Sequence, residues 1–215
     1  MSNLKHHQSA LGLHTTSSQL GLSLNNFSGD NRYQTWDVNR ELSTYLHQYL
    51  LEFIQPKTWQ DLAFIAVAIG PGSFTSTRIG VVTARTLAQQ LELPLFGIST
   101  LAALVWSNRD NYPVDCLIPV QMKASRGQLY VSIYQKSDQG QNLTPVLADT
   151  VMNPDDWTQT LRDFNLDVEP LISSPKLGNT VPSILELAYN YWQQEERPHW
   201  SEVVPFYGMS VVVNV

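Results

Sequence analysis

Five histidines, one cysteine and one glycine-rich turn are the places in this 215-residue chain where chemistry could sit. A metal site needs His, Cys, Asp or Glu side chains that converge, and a helix brings such residues together at spacings of three or four. His6, His7, His14, His47 and His199 are scattered, and none pairs with a nearby carboxylate at helical spacing. The expectation is therefore no metal. Cys116 stands in an apolar stretch and reads as core. Covalent catalysis needs a serine or cysteine held by a base. There is no Gly-x-Ser-x-Gly elbow. Ser73 does lie at a sharp strand-to-helix turn, but no base can be assigned to it, so no catalytic residue is predicted. Asp155-Asp156 and Glu195-Glu196 read as a helix start and a solvated face.

The remaining candidate is Gly70-Pro71-Gly72-Ser73-Phe74-Thr75. A strand that feeds a glycine turn and then a helix N-terminus presents free amide N–H groups and the positive end of the helix dipole. Gly70, Gly72, Ser73 and Thr75 are thus a candidate phosphate-binding turn. The segment lacks the Gly-Lys-Ser/Thr ending of a Walker loop and the spacing of a dinucleotide fingerprint. The plainer alternative is a tight structural turn in which Ser73, Thr75 or Ser76 caps a helix.

The elements that must position this turn can be read on either side of it. Leu62 to Ile69 is apolar and rich in β-branched residues, as in a strand buried on both faces. A helix follows to Leu91, Pro94 ends it, and Leu95 to Ile98 is the next strand, a βαβ unit. Ala10–Leu13 and Gln19–Leu24 form an opening hairpin about the hydroxyl turn His14–Ser18, and Arg32–Trp36 is a third strand. Val38 to Ile54 is a helix whose apolar residues fall on two strips, Val38-Leu42-Tyr45-Tyr49-Phe53 and Leu46-Leu50-Ile54. Two strips exceed what one sheet face usually requires, so either the helix is sandwiched inside its own lobe or it buries its second strip against another protein. On the second helix Gly80, Ala84 and Ala88 make a smooth strip for close packing, with Ile79 and Val82 beside it. Ser99-Thr100 caps a third helix. The polar stretch Asn108–Pro113 divides the chain into a lobe 1–107 and a smaller lobe 108–215. The latter should hold strands at Cys116–Val120, Gln128–Gln135 and Leu143–Val151, and helices to about Phe164 and over Ser183–Gln194. Met1–Gln8 reads as a loose polar start, and Val211–Val213 as an unplaced apolar tail.

Hydrophobic residues make up 43% of the chain and charged residues 15%, with a net charge of −6. A packed core is expected, and an acidic chain without a basic cluster is a poor stand-alone nucleic-acid binder. A single cysteine excludes an internal disulfide and suits a reducing compartment. No apolar run reaches membrane-spanning length and no signal peptide is visible, so a soluble cytoplasmic protein is expected.

The segment Gly70-Pro71-Gly72-Ser73-Phe74-Thr75, followed by Arg78-Ile79-Gly80, closely resembles the signature of the bacterial TsaB (YeaZ) family, with Ser76 in place of a glycine. Pro94-Leu95, Gly97–Leu104 and Ser125–Tyr130 extend the likeness. The resemblance implies an α/β, actin/Hsp70-like (ASKHA) fold of two lobes, the second reduced. It implies a non-catalytic subunit that pairs with TsaD in making threonylcarbamoyladenosine beside the tRNA anticodon. A TsaE-like ATPase would join the complex, a homodimer is possible, and tRNA is met only indirectly. No cofactor is implied. Pairing through the first two helices would bury Leu42, Tyr45, Leu46, Tyr49, Ile79 and Val82. A second reading is a small nucleotide-binding ATPase or kinase-like enzyme of the same fold, and a third is a peptidase using Ser73. Against the second, His14 stands where the family usually has an aspartate, and carboxylates suit Mg²⁺ better than imidazole does.

Overall fold

The apolar run around Ile65 becomes the central strand of the molecule. The computed structural model describes residues 4, 5, 8–137 and 143–208. Strand β1 (Ser9–His14) pairs antiparallel with β2 (Gln19–Asn25), and β2 with β3 (Asn31–Asp37). β4 (Leu62–Ala68) lies parallel to β1, and β5 (Leu95–Ile98) parallel to β4. The resulting sheet has the order β3-β2-β1-β4-β5. β4 is buried along its whole length, as its composition requires of a strand covered on both faces.

Among the described residues five α-helices cover the strands: α1 (Leu42–Ile54), α2 (Phe74–Leu91), α3 (Thr100–Ser107), α4 (Pro154–Asp163) and α5 (Val181–Gln193). Alternation along β1 and β4 sorts their side chains between the two sheet faces. Leu11, Leu13, Ile65 and Val67 join the core under α1 and α2. Ala10, Phe64, Ala66 and Ala68 face the other way, into a core shared with α3 and α5. The small residues on this second face let α5 approach closely.

A second sheet is built from β6 (Leu117–Lys123), β7 (Leu129–Lys136), β8 (Leu143–Met152) and the short β9 (Leu171–Ile172), in the order β8-β7-β6-β9. Ile118, Val120 and Tyr134 continue the α3/α5 core. On the opposite face Val131 and Ile133 pack with Trp157 of α4. The layers therefore run α1/α2, first sheet, α3/α5, second sheet, α4.

Two expectations change, the start of the first helix and the burial of Cys116. The division at 107/108 separates the two sheets, but α5 comes from the second half of the chain and covers the first sheet, so the halves share one core. The first helix begins at Leu42 rather than Val38, because Asn39 sits at φ 45° and the chain makes a 3-10 turn there. Cys116 precedes β6 and is half-buried rather than core. β9 has no counterpart in the sequence reading, its two residues being too few to show a period. Most of the polar start and all of Val211–Val213 lie outside the described residues.

Candidate functional site

The GPGSFT turn is tied inward to its neighbours. The Ser73 N–H donates to the Thr16 carbonyl at 2.7 Å, and the Thr100 N–H donates to the Gly70 carbonyl at 2.7 Å. Thr16 Oγ1 and Thr100 Oγ1 are 3.0 Å apart. A Cβ on Gly72 would stand 2.3 Å from the Thr16 carbonyl oxygen, and one on Gly80 2.0 Å from Thr15 Oγ1. These glycines thus allow the hairpin turn, the GPG turn and α2 to meet. The Ser73 hydroxyl donates to Ser76 Oγ at 3.1 Å and caps no amide. Among the described residues Ser73 therefore meets no base, and its amide is committed to Thr16 rather than free for a phosphate; Gly72 serves the close approach, Gly70 supplies a φ of 106°, and Thr75 is exposed. The small strip on α2 packs on the hairpin turn through Gly80, while Ala84 and Ala88 lie in the α1/α2 core.

Beneath this knot His14 is wholly buried, and burial pushes its pKa down to about 4. The ring is neutral at physiological pH. Its Nε2 is 3.4 Å from Thr16 Oγ1. A metal ion would find no charge here, and among the described residues no three His, Cys, Asp or Glu side chains are placed to hold one.

Between the lobes lies a cleft of about 1090 Å³. One wall is Thr16, Gly72, Ser73, Phe74 and Arg78; the other includes Met122, Lys123, Tyr130 and Ile172. Arg78 lies over the rings of Phe74 and Tyr207, at 4.7 and 5.7 Å from their centroids. A second link between lobes was not legible in the sequence. Ser99, the cap of α3, accepts from the N–H groups of Leu101 and Ala102 and donates to Asp149 Oδ2 at 2.5 Å. The Tyr134 hydroxyl donates to Asp149 Oδ1 at 2.8 Å. Burial raises the Asp149 pKa, and burial followed by the Asp149 charge raises that of Tyr134. Ser99, Tyr134 and Asp149 come from three elements, so no local spacing could announce them.

The outer face of α1 and α2 is the other candidate. Leu42 and Leu46 are 3% and 0% exposed and belong to the chain's own core. They are thereby corrected as docking residues: α1 lies in the angle between the first sheet and α2, so its buried arc takes up both apolar strips. Tyr49 stacks on Trp36 with centroids 4.7 Å apart, and Tyr45 leans on Tyr49 at 5.8 Å. Tyr45, Tyr49 and Ile79 are half-buried. Val82 is 61% exposed, and Leu51, which the periodicity did not single out, is 58% exposed. The surrounding outer positions Ser43, Thr44, Gln48 and Thr86 carry uncharged polar side chains, and the exposed Glu52 and Arg78 bring charge to the same two helices.

Known proteins resemble the chain in sequence and in fold. The family model described as TsaD, tRNA N6-adenosine threonylcarbamoyltransferase, matches residues 46–188. The tRNA threonylcarbamoyladenosine biosynthesis protein TsaB of Bacillus subtilis (strain 168) is 39% identical over 104 residues, covering 48% of this chain and 43% of that protein. The protein of the same name from Escherichia coli (strain K12) is 36% identical over 83 residues, covering 37% and 34%. These matches span less than half the length of the curated relatives. The structure of YeaZ from Pseudomonas aeruginosa superposes with a TM-score of 0.76 at 20% identity, over 93% of this chain and 99% of that one. The fold is the two-lobed, actin/Hsp70-like α/β fold that the GPGSFT signature implied.

Proposed function

We propose, because the chain belongs to the TsaD threonylcarbamoyltransferase family and stands with its TsaB (YeaZ) members, that it is a non-catalytic subunit in tRNA threonylcarbamoyladenosine formation. It pairs with a TsaD-like protein, which supplies the transfer chemistry, and it meets tRNA only through that partner. A TsaE-like ATPase joins the pair, and the same face allows a homodimer. The work is done in the cytoplasm.

The observation that carries this reading is the pair of aliphatic side chains left bare on the outer arcs of α1 and α2, Leu51 at 58% and Val82 at 61% exposure. Tyr45, Tyr49 and Ile79 on the same two helices are half-buried. Interfaces of ordinary size bury about 1,600 Å² in total and draw most of their energy from a few aromatic or aliphatic anchors. The inward-tied Ser73 amide and the neutral His14 speak against the ATPase reading, and the Ser73–Ser76 contact against a peptidase.

The test is reconstitution with the TsaD-like protein of the same organism. The pair should co-purify as one species, and threonylcarbamoyl transfer to tRNA by the partner should depend on this chain. Transfer by the partner alone at the full rate would remove the proposed role.

A further inference from the structure

Helix α1 ends with neither of the common caps. The last carbonyls of a helix have no partner within it, and a glycine in the left-handed conformation or a basic side chain of the last turn usually meets them. The last turn of α1 has no basic residue, and Gln55 follows it at φ −59° and ψ 141°, outside the left-handed region. Pro56 comes next and has no N–H to give. The donor comes instead from Arg32 on the edge strand β3. Arg32 Nη2 lies 2.7 Å from the Phe53 carbonyl oxygen, 3.1 Å from that of Ile54 and 2.5 Å from that of Gln55. The guanidinium carbon stands 5.2 Å from the centre of the Phe53 ring. A cation at this end of a helix is favoured by the dipole, and its N–H bonds to the carbonyls are charge-assisted. Trp36, four residues further on, shares the face of β3 that carries Arg32. Its ring meets Phe53 edge-on at 6.1 Å and stacks on Tyr49 at 4.7 Å. The edge strand thus braces α1 at its side and at its end.

We propose that Arg32 is a positioning residue for partner docking: it closes the last turn of α1 from the neighbouring strand and thereby holds Leu51 in its outward place. Leu51 belongs to that turn and is 58% exposed. Helix ends fray where their carbonyls lack partners. A frayed turn spreads Leu51 over many positions, and ordering it again on binding costs free energy. Arginine suits this task because one planar group offers several donors and keeps its charge at any physiological pH. The Lys57–Asp30 ion pair at the same corner, 3.1 Å long, is exposed on its acidic side and adds little. The docking role rests on the pairing reading above; the hold of Arg32 on the turn does not.

The experiment has two arms on the full chain, both run well below the thermal midpoint of each variant. Arg32→Met keeps an apolar stem near Phe53 and removes the donors, whereas Arg32→Lys keeps the charge. Amide hydrogen exchange reads the turn without any partner. In Arg32→Met the amides of residues 51–54 should exchange roughly tenfold faster, as loss of a charge-assisted hydrogen bond implies, and Arg32→Lys should fall between that variant and the wild type. Calorimetric titration with the TsaD-like partner reads the docking role. Arg32→Met should weaken binding about tenfold when Leu51 is present and less than about twofold in the Leu51→Ser background, because the effect passes through that side chain. Unchanged exchange at residues 51–54, or the same loss of affinity with and without Leu51, would overturn the proposal. Faster exchange in Arg32→Met with no binding by the wild-type chain would overturn the pairing reading and with it the docking role, leaving Arg32 as the anchor of the turn.

Discussion

The first sheet is covered by helices on both faces, and the two covers differ. On one face α5 is enclosed: Val181, Ile184, Leu185, Leu187 and Ala188 are buried, and the second sheet lies beyond the α3/α5 layer. On the other face α1 and α2 bury Leu42, Leu46, Leu50, Val81, Ala84 and Ala88, yet they leave Leu51 and Val82 bare. The sheet residues mirror this. Ala10, Ala66 and Ala68 face α5, while Leu11, Leu13, Ile65 and Val67 face α1 and α2. The α5 face mixes these alanines with Phe64, Phe96 and Ile98, whereas β1 and β4 present only branched aliphatic side chains to α1 and α2. Leu51 and Val82 stand bare among polar neighbours on these outer arcs, the kind of aliphatic anchor that a partner covers.

The contrast can be sharpened by substitution. Ile184→Ala on the enclosed helix should lower unfolding stability by about 2–5 kcal/mol in a denaturant titration, since a fully buried aliphatic side chain leaves a cavity. Leu46→Ala on the inner arc of α1 should fall in the same range. If Leu46→Ala cost nothing, α1 would not be part of the core.

Acid should act on the inner side of the same lobe. His14 has a folded pKa of about 4 against an ordinary value of 6.5. Between these values the unfolded chain binds a proton that the folded chain refuses. Its contribution to stability is therefore complete above pH 6.5 and is lost as pH falls towards 4, a difference of about 3 kcal/mol. His14→Gln should flatten that part of the pH–stability curve, and an unchanged slope would show that His14 is not the group responsible. Gly80→Val should cost about 1–3 kcal/mol by overpacking against Thr15. Asp149→Ala removes the acceptor of the Ser99 and Tyr134 hydroxyls and should cost a comparable about 1–3 kcal/mol. At the small end, Leu51→Ser should change the stability of the isolated chain by no more than about 0.5 kcal/mol.

Much of this architecture was legible because local rules agreed with one another. The run around Ile65 could only be a doubly covered strand, Pro94 had to end α2, and Ser99 caps α3 with its side chain as its residue type suggests. The GPGSFT signature led to the right fold. What periodicity could not show was which arc of a two-strip helix would be covered, because that depends on the angle between α2 and the sheet. Leu42 and Leu46 were therefore assigned to the outside, and Leu51 went unnoticed. The return of α5 across the lobe boundary is a matter of topology, and no linker composition reports it. The cleft escapes the sequence for a related reason: Arg78, Lys123 and Tyr207 are far apart in the chain and line it only after folding.

The account stands or falls on the outer face of α1 and α2. Sedimentation velocity of the chain mixed with its TsaD-like partner, wild type against Val82→Asp, addresses it most directly. The prediction is a single faster-sedimenting complex for the wild type and separate free species for Val82→Asp, with the variant's melting temperature unchanged. A complex of wild-type strength with a variant carrying both Val82→Asp and Leu51→Asp would contradict it.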